Sequence, residues 1–159
     1  MDAVRADMKA TITPSWITPA PLDWGTPKRG KLSADHWKVI CIIHLPITLI
    51  RLWGYDDGRK HDMLLNFMDL VMAVQIANMR IISEKHIILY EKLMMRYLIK
   101  FKSLYKDAKI KPTHHVSLHI GDFLRNFGPV HAYRTPAFER YNYMLQRENT
   151  NMKFGGYNA

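Results

Sequence analysis

Apolar residues recur at every third or fourth position along most of this chain, which is the spacing of amphipathic helices. The clearest stretch, residues 61–81, places Leu64, Phe67, Val71 and Val74 on one helical face. Residues 84–107 repeat the pattern, with lysines near the C-terminal end, where the helix dipole favours cations. No stretch alternates apolar and polar residues as a half-buried strand would. The pattern therefore predicts an all-α fold.

Capping and breaking residues divide this pattern into helices. Ser33 is a natural N-cap for a helix over 34–45, Pro46 is expected to kink or break that helix, and Gly54 is expected to end it. The apolar run over residues 37–53 is 17 residues long and contains charged residues and a proline. It is short for a membrane span, so we expect a buried core helix and no membrane partner.

Three further signals complete the predicted set of about five helices. Ser83 is expected to cap the helix over 84–107, and Thr113 to cap a fourth helix that Gly128 and Pro129 end. A fifth helix is expected to begin at Pro136, because proline is favoured in the first turn.

The first 32 residues differ from the rest in composition. They contain Pro14, Pro19, Pro21 and Pro27, which disfavour long helices and predict an extended arm over residues 1–32, followed by a helical domain over 33–159. The large apolar residues Trp16 and Trp24 are expected to anchor this arm on a folded body.

The composition is that of a globular domain with a strong positive charge. Cys41 is the single cysteine, which excludes an internal disulfide and fits a reducing compartment, and the N-terminal residues lack the apolar core of a secretory signal. The net charge is +9 and the pI about 9.7. This charge favours a polyanionic partner such as nucleic acid, although a basic soluble protein without such a partner has the same composition.

Histidines supply the first candidate chemistry. His115 and His119 are four residues apart and would share one face of a helix, a spacing that commonly provides two metal ligands. His114 and His119 form a different pair, which converges only if His114 lies at the start of the helix. Solvated surface histidines are the alternative explanation for both pairs.

Two other groups of residues complete the candidates. Cys41 and His44 share a helix face and could add a thiolate and an imidazole to a zinc site, although a buried cysteine is more often a small apolar residue. Glu139 lies between aromatic residues, where a carboxylate binds either a metal or a nearby arginine. The basic and aromatic residues around it could contact nucleic acid or form an ordinary amphipathic helix; the cations concerned are Arg134, Arg140 and Arg147.

The stretch from His114 to Asn151, with its histidines, a Gly-Pro and an F-E-R-Y-N motif, resembles the C-terminal region of transposase-like proteins of fungal CACTA-type DNA transposons. The segment GKLSADHWKVICIIHLPITLIRLWG is similar to the region upstream of it in the same proteins. The resemblance runs from about Trp16 to the C-terminus.

This resemblance implies a ribonuclease-H-like core in which three acids hold two Mg²⁺ ions and a helical insertion separates the last two acids. It implies a structural zinc held by one pair of ligands before the insertion and one pair after it. On this chain those pairs would be Cys41 with His44 and His114 with His119. The third acid would be Glu139, which follows His119 by 20 residues.

Strands carrying the first two acids are not recognisable in this sequence. We therefore expect the helical insertion and C-terminal part of a transposase whose N-terminal catalytic portion is missing, so that the chain is catalytically incomplete by itself, binds DNA as the parent protein would, and is nuclear or otherwise cytoplasmic. The alternative is a stand-alone basic helical module that binds nucleic acid or a protein partner without a metal.

Overall fold

The computed structural model describes residues 1–133 together with residues 141, 143 and 144. Within this part of the chain every regular element is a helix, which confirms the predicted all-α class. The ribonuclease-H-like relationship implied by the resemblance gains no support from these residues. The helices are α1 (Asp2–Ala10), α2 (Ala34–Val39), a π-helical turn (Ile40–His44), α3 (Leu45–Trp53), α4 (Arg59–Ala77), α5 (Glu84–Leu104), α6 (Pro112–Leu118), α7 (Ile120–Phe127) and α8 (Val130–Tyr133).

The segment expected to be an extended arm begins with a helix, α1. Its four prolines all lie at or beyond Pro14, so nothing prevents residues 2–10 from coiling, and the rest of the segment has turns and no regular element. Trp24 is buried as expected, and its indole N–H donates to the sulfur of Met8 in α1. Trp16, by contrast, is 83% exposed and does not anchor the segment.

The helix that Pro46 was expected to kink or break runs through from Ala34 to Trp53. Ser33 caps its start by accepting a hydrogen bond from the His36 N–H at 3.2 Å, as predicted. A π-helical turn immediately precedes Pro46, and the Leu45 N–H reaches back to the carbonyl of Ile40. This wider turn relieves the clash that a proline ring makes with an α-helical backbone, and so the helix continues.

The 20 residues from Ala34 to Trp53 are long and apolar enough to cross a membrane, a test that core helices of soluble proteins also pass. We expected a buried core helix, yet only 22% of its most apolar 18 residues is buried. The buried positions Ile40, His44 and Thr48 follow one another at four-residue steps, Pro46 is the fourth buried position, and Ile47 and Ile50 are exposed. Two of these four buried positions are therefore polar.

Helices α4 and α5 form the centre of the fold, packed against each other along their length. Ser83 caps α5 as predicted, since its side chain accepts from the N–H of His86 and the His86 ring accepts from the N–H of Ser83. The carboxylate of Asp69 on α4 binds Arg96 on α5, and the amide of Asn66 donates to the Tyr97 carbonyl at 2.8 Å. These contacts fix how the two helices align.

The fourth predicted helix is divided in two, and it begins earlier than expected. Pro112, rather than a residue after Thr113, opens α6, because a proline at the first helical position loses no hydrogen bond. His119 separates α6 from α7, and both short helices contact α5. Of the helix expected from Pro136, the structure describes residues 141, 143 and 144, which are helical.

Candidate functional site

The three histidines of α6 and its end point in different directions. The ring of His114 accepts a hydrogen bond from the Lys111 N–H at 3.2 Å and packs edge-on against Phe101 of α5, with ring centroids 5.2 Å apart. The rings of His115 and His119 are exposed, and their Nε2 atoms are 3.3 Å apart. The pair that meets is therefore His115 with His119, as i, i+4 spacing on a helix predicts, whereas His114 faces α5.

Contacts between α5 and the two short helices hold this histidine pair in place. The hydroxyl of Tyr90 donates to the Ser117 carbonyl at 2.7 Å and fixes α6. Gly121 of α7 lies against the side chain of Glu91, and a Cβ at this position would push the end of that flexible side chain aside. Arg125 then binds Glu84 and Glu91 from α7, and these carboxylates raise its pKa. The position of the imidazoles is set by packing between helices.

The geometry around His119 adds one carboxylate. Its Nδ1 atom lies 3.6 Å from an oxygen of Asp122, while its Nε2 atom faces His115. A carboxylate behind one ring nitrogen orients the other nitrogen toward a ligand in many metal sites. His115 and His119 thus offer two nitrogen donors on an exposed surface, and Asp122 is placed to orient one of them.

Cys41 and His44 lie elsewhere, in the π-helical turn. His44 is buried, its Nδ1 has no hydrogen-bond partner in the described chain, and burial lowers its pKa. Burial also raises the pKa of the Cys41 thiol, which disfavours the thiolate that binds zinc. Among residues 1–133, 141, 143 and 144, no three His, Cys, Asp or Glu side chains group as a metal would require. The two predicted zinc pairs are therefore not brought together there.

A lysine cluster covers the C-terminal end of α5 and the loop that follows it. The cluster comprises Lys100, Lys102, Lys106, Lys109 and Lys111. All but Lys100 are exposed, and Asp107 is the one acidic residue between positions 100 and 111. Within residues 1–133, none of the five forms an ion pair with a carboxylate.

Aromatic packing holds the loop that carries these lysines. The ring of Phe101 contacts the rings of Tyr105 and His114, at centroid distances of 5.0 and 5.2 Å, and so joins the two ends of the loop. Arg59 at the start of α4 donates to the Leu104 carbonyl at 2.7 Å and adds a sixth cation beside the cluster. Burial raises the pKa of Tyr105, an effect that Arg59 opposes. The lysines of this loop therefore extend from a backbone that aromatic packing and the Arg59 hydrogen bond hold in place.

The sequence analysis did not single out this cluster. The lysines at the end of residues 84–107 were attributed to the helix dipole, and Lys109 and Lys111 were not considered, yet Lys106, Lys109 and Lys111 all follow the end of α5. The sequence signal for the cluster was the density of lysines over residues 100–111, where Asp107 is the single acidic residue. The residues predicted to serve catalysis and nucleic-acid binding, Glu139 with Arg134, Arg140 and Arg147, lie outside the described residues.

Comparison with known proteins leaves the chain without an assigned family. No family model matches the sequence, and no curated protein and no solved structure is similar to it.

Proposed function

We propose that this chain is a helical nucleic-acid-binding module derived from a DNA transposase and catalytically incomplete by itself. The observation that carries the binding proposal is the lysine cluster, whose five ammonium groups lie at the C-terminal end of α5 and on the loop after it, without carboxylate partners among the described residues. Unpaired cations on a surface gain most by contact with phosphates, because each contact releases condensed counterions. A net charge of +9 supports the same partner.

The proposal of transposase descent rests on sequence. Its support is the combination of a histidine-rich segment, a Gly-Pro and the F-E-R-Y-N motif over residues 114–142. The role of Glu139 as the third metal-binding acid of an intact parent enzyme, with Mg²⁺ as its cofactor, stays a prediction. Nuclear localisation belongs to the same proposal, because it follows from action on DNA.

The lysine cluster can be tested by the salt dependence of DNA binding. Replacing Lys102, Lys106 and Lys109 together with alanine should weaken binding to duplex DNA and reduce the slope of log K against log salt by up to about 2.7, since each phosphate contact contributes about 0.9. Fluorescence anisotropy with a labelled duplex at several salt concentrations measures both quantities.

A matched control removes the same charge elsewhere. Lys9, Lys28 and Lys31 are also exposed and lie before α2, so their triple alanine variant changes the net charge equally. This control variant should lower the affinity for DNA less than the cluster variant does and should keep most of the slope of log K against log salt. Equal slopes for the two variants would show that only overall charge matters and would remove the cluster as the binding surface.

Zinc binding at the histidine pair is the second part of the proposal. His115 and His119 supply two nitrogen donors whose Nε2 atoms are 3.3 Å apart, whereas Cys41 and His44 do not join them in the described chain. The four-residue set implied by the resemblance does not fit these residues. A site at the histidine pair would hold zinc with water or other ligands in the remaining positions.

Metal analysis of purified protein distinguishes the transposase-derived domain from the metal-free basic module. Zinc at one equivalent that is lost in His119→Ala and in His115→Ala, but kept in His114→Ala, supports a site at the pair. Loss of zinc in His114→Ala instead would support His114 and His119 as the zinc ligands. Protein that contains no zinc after purification without chelators supports the metal-free alternative.

A further inference from the structure

An open groove runs between the helix Ala34–Val39 with its π-helical turn and the second half of α4. Its volume is about 350 Å³, within the range of small-molecule sites. Most of its lining is apolar, and the residues that form its walls are Cys41, Ile42, Phe67, Leu70, Val71 and Val74. Neither the lysine cluster nor the histidine pair takes part in it.

One end of this groove is cationic. Lys38 and Asn78 line the groove and also a second, polar hollow of about 360 Å³, whose other walls are Arg80 and His131. Lys38 and Arg80 form no ion pair with a carboxylate in the described chain. Asp35 lines the apolar groove but not the polar hollow. The apolar walls therefore lead into a site with two unpaired cations.

This combination fits a molecule with one anionic head and an apolar tail. A nucleic-acid strand carries a charge on every nucleotide and bases that need stacking or hydrogen-bonding partners, whereas the cations here lie at one end of largely aliphatic walls. A carboxylate at Lys38 and Arg80 would gain charge-assisted hydrogen bonds, and an alkyl chain would displace water along Ile42, Leu70 and Val74.

We propose that the groove binds a medium-chain fatty acid, with its carboxylate at Lys38 and Arg80, beside His131, and its alkyl chain between the π-helical turn and α4. The occupant is a single amphiphile held 1:1. The site is separate from the lysine cluster, so it goes beyond the function proposed above.

Cys41 provides a direct reporter, because it is the single cysteine and lies in the wall of the groove. The experiment measures how fast an aromatic disulfide modifies Cys41 in the full chain, in the presence of laurate below its micelle concentration. Laurate should slow the reaction in a saturable manner with a stoichiometry of one. Dodecanol, which has the same chain length and no charge, should bind at least about tenfold more weakly.

Two double variants test the cationic end. Lys38→Ala with Arg80→Ala should raise the laurate Kd about tenfold or more, while Lys28→Ala with Arg29→Ala removes the same charge away from the groove and should leave the Kd unchanged. All four side chains are exposed, so the variants should fold.

Four outcomes would overturn the proposal: no protection of Cys41 by laurate, equal binding of laurate and dodecanol, equal affinities in the two double variants, or binding only to fatty-acid vesicles. Protection of Cys41 by duplex DNA that is lost in Lys38→Ala with Arg80→Ala would assign the groove to nucleic acid instead. The salt dependence of DNA binding by the lysine-cluster variant is measured without fatty acid. Its outcome therefore does not depend on whether the groove binds laurate.

Discussion

The two hydrophobic clusters of this protein are built in different ways. The central cluster lies mainly between the long helices α4 and α5, and its buried residues are Ala73, Ile76, Ala77, Ile87, Tyr90, Leu93, Met94 and Leu124. The N-terminal cluster brings together side chains from α1, from the proline-rich segment and from the π-helical turn, and its buried residues are Val4, Met8, Ala20, Trp24 and Ile40. The central cluster is thus built mainly from two long helices, and the N-terminal cluster from several short segments.

The two clusters also differ in whether the buried polar groups around them have hydrogen-bond partners. In the central region, Asn66 and Tyr90 each donate to a backbone carbonyl, and Asp69 binds Arg96. Around the N-terminal cluster, Arg5 Nε and His44 Nδ1 are buried without hydrogen-bond partners in the described chain. A buried polar group without a partner costs about 1–3 kcal/mol. We therefore expect the N-terminal region to open at a lower free energy than the central one.

The largest expected effect comes from truncating the central cluster. Leu93 is 2% exposed, and Leu93→Ala should lower the free energy of unfolding by about 2–5 kcal/mol through lost burial and a cavity. Met8→Ala in the N-terminal cluster should destabilise α1 locally and change global unfolding less. Urea titration with hydrogen exchange of the α1 and α5 amides separates the two. Equal loss of protection in both helices for both variants would contradict the comparison.

A smaller effect is expected from the polar contact between α4 and α5. Asn66 is 1% exposed and donates to the Tyr97 carbonyl, so Asn66→Ala should cost about 1–2 kcal/mol. Gln75→Ala, at an exposed position on the same helix, is the control and should change stability by less than about 0.5 kcal/mol. Chemical denaturation of both variants measures the difference, and a neutral Asn66→Ala would show that the hydrogen bond does not stabilise the central region.

The smallest effect is a pH dependence confined to the N-terminal region. Burial lowers the pKa of His44 from its ordinary 6.5. Below about pH 6.5 the unfolded chain binds a proton that the folded chain resists, so the contribution of neutral His44 is complete above that pH and is lost as the pH falls. Hydrogen exchange of α1 and of the turn over 40–44 should accelerate between pH 7 and pH 5.

The variant His44→Leu should remove most of that acceleration, because the titrating group is gone. His36→Leu, two turns earlier and partly exposed, serves as the control and should keep the wild-type profile. An unchanged pH dependence in His44→Leu would mean that other groups control the opening of this region.

Local signals in the sequence located the centre of the fold well. The apolar spacing over 61–81 and 84–107 predicted α4 and α5, and Ser33 and Ser83 cap helices as expected. Long amphipathic helices are predictable because one face must be buried whatever its partner is. Tertiary contacts were less accessible: α7 packs on α5 with Arg125 bound to Glu84 and Glu91, and no spacing rule reveals that contact.

The candidate sites show the same limit. The spacing of His115 and His119 was enough to predict that their rings share a face, since one helical turn separates them. His114 accepts a hydrogen bond from the Lys111 N–H and packs on Phe101, because contacts at the start of a helix depend on capping, and its role as a zinc ligand stays a prediction. Where Cys41 and His44 lie relative to the histidines of α6 depends on long-range packing, which residue spacing does not encode.

The π-helical turn over Ile40–His44 has a consequence for how length changes act on this chain. A π turn accommodates one residue more than an α turn, so deleting a single residue there would leave a regular α-helix and keep the residues after it close to their present faces. Thr48 would stay on the inward face, whereas the ring of Pro46 would meet the backbone that the wide turn now keeps clear of it. A one-residue gap between relatives at this place would thus mark the loss of the wide turn with the orientation of α3 kept, rather than a shorter loop.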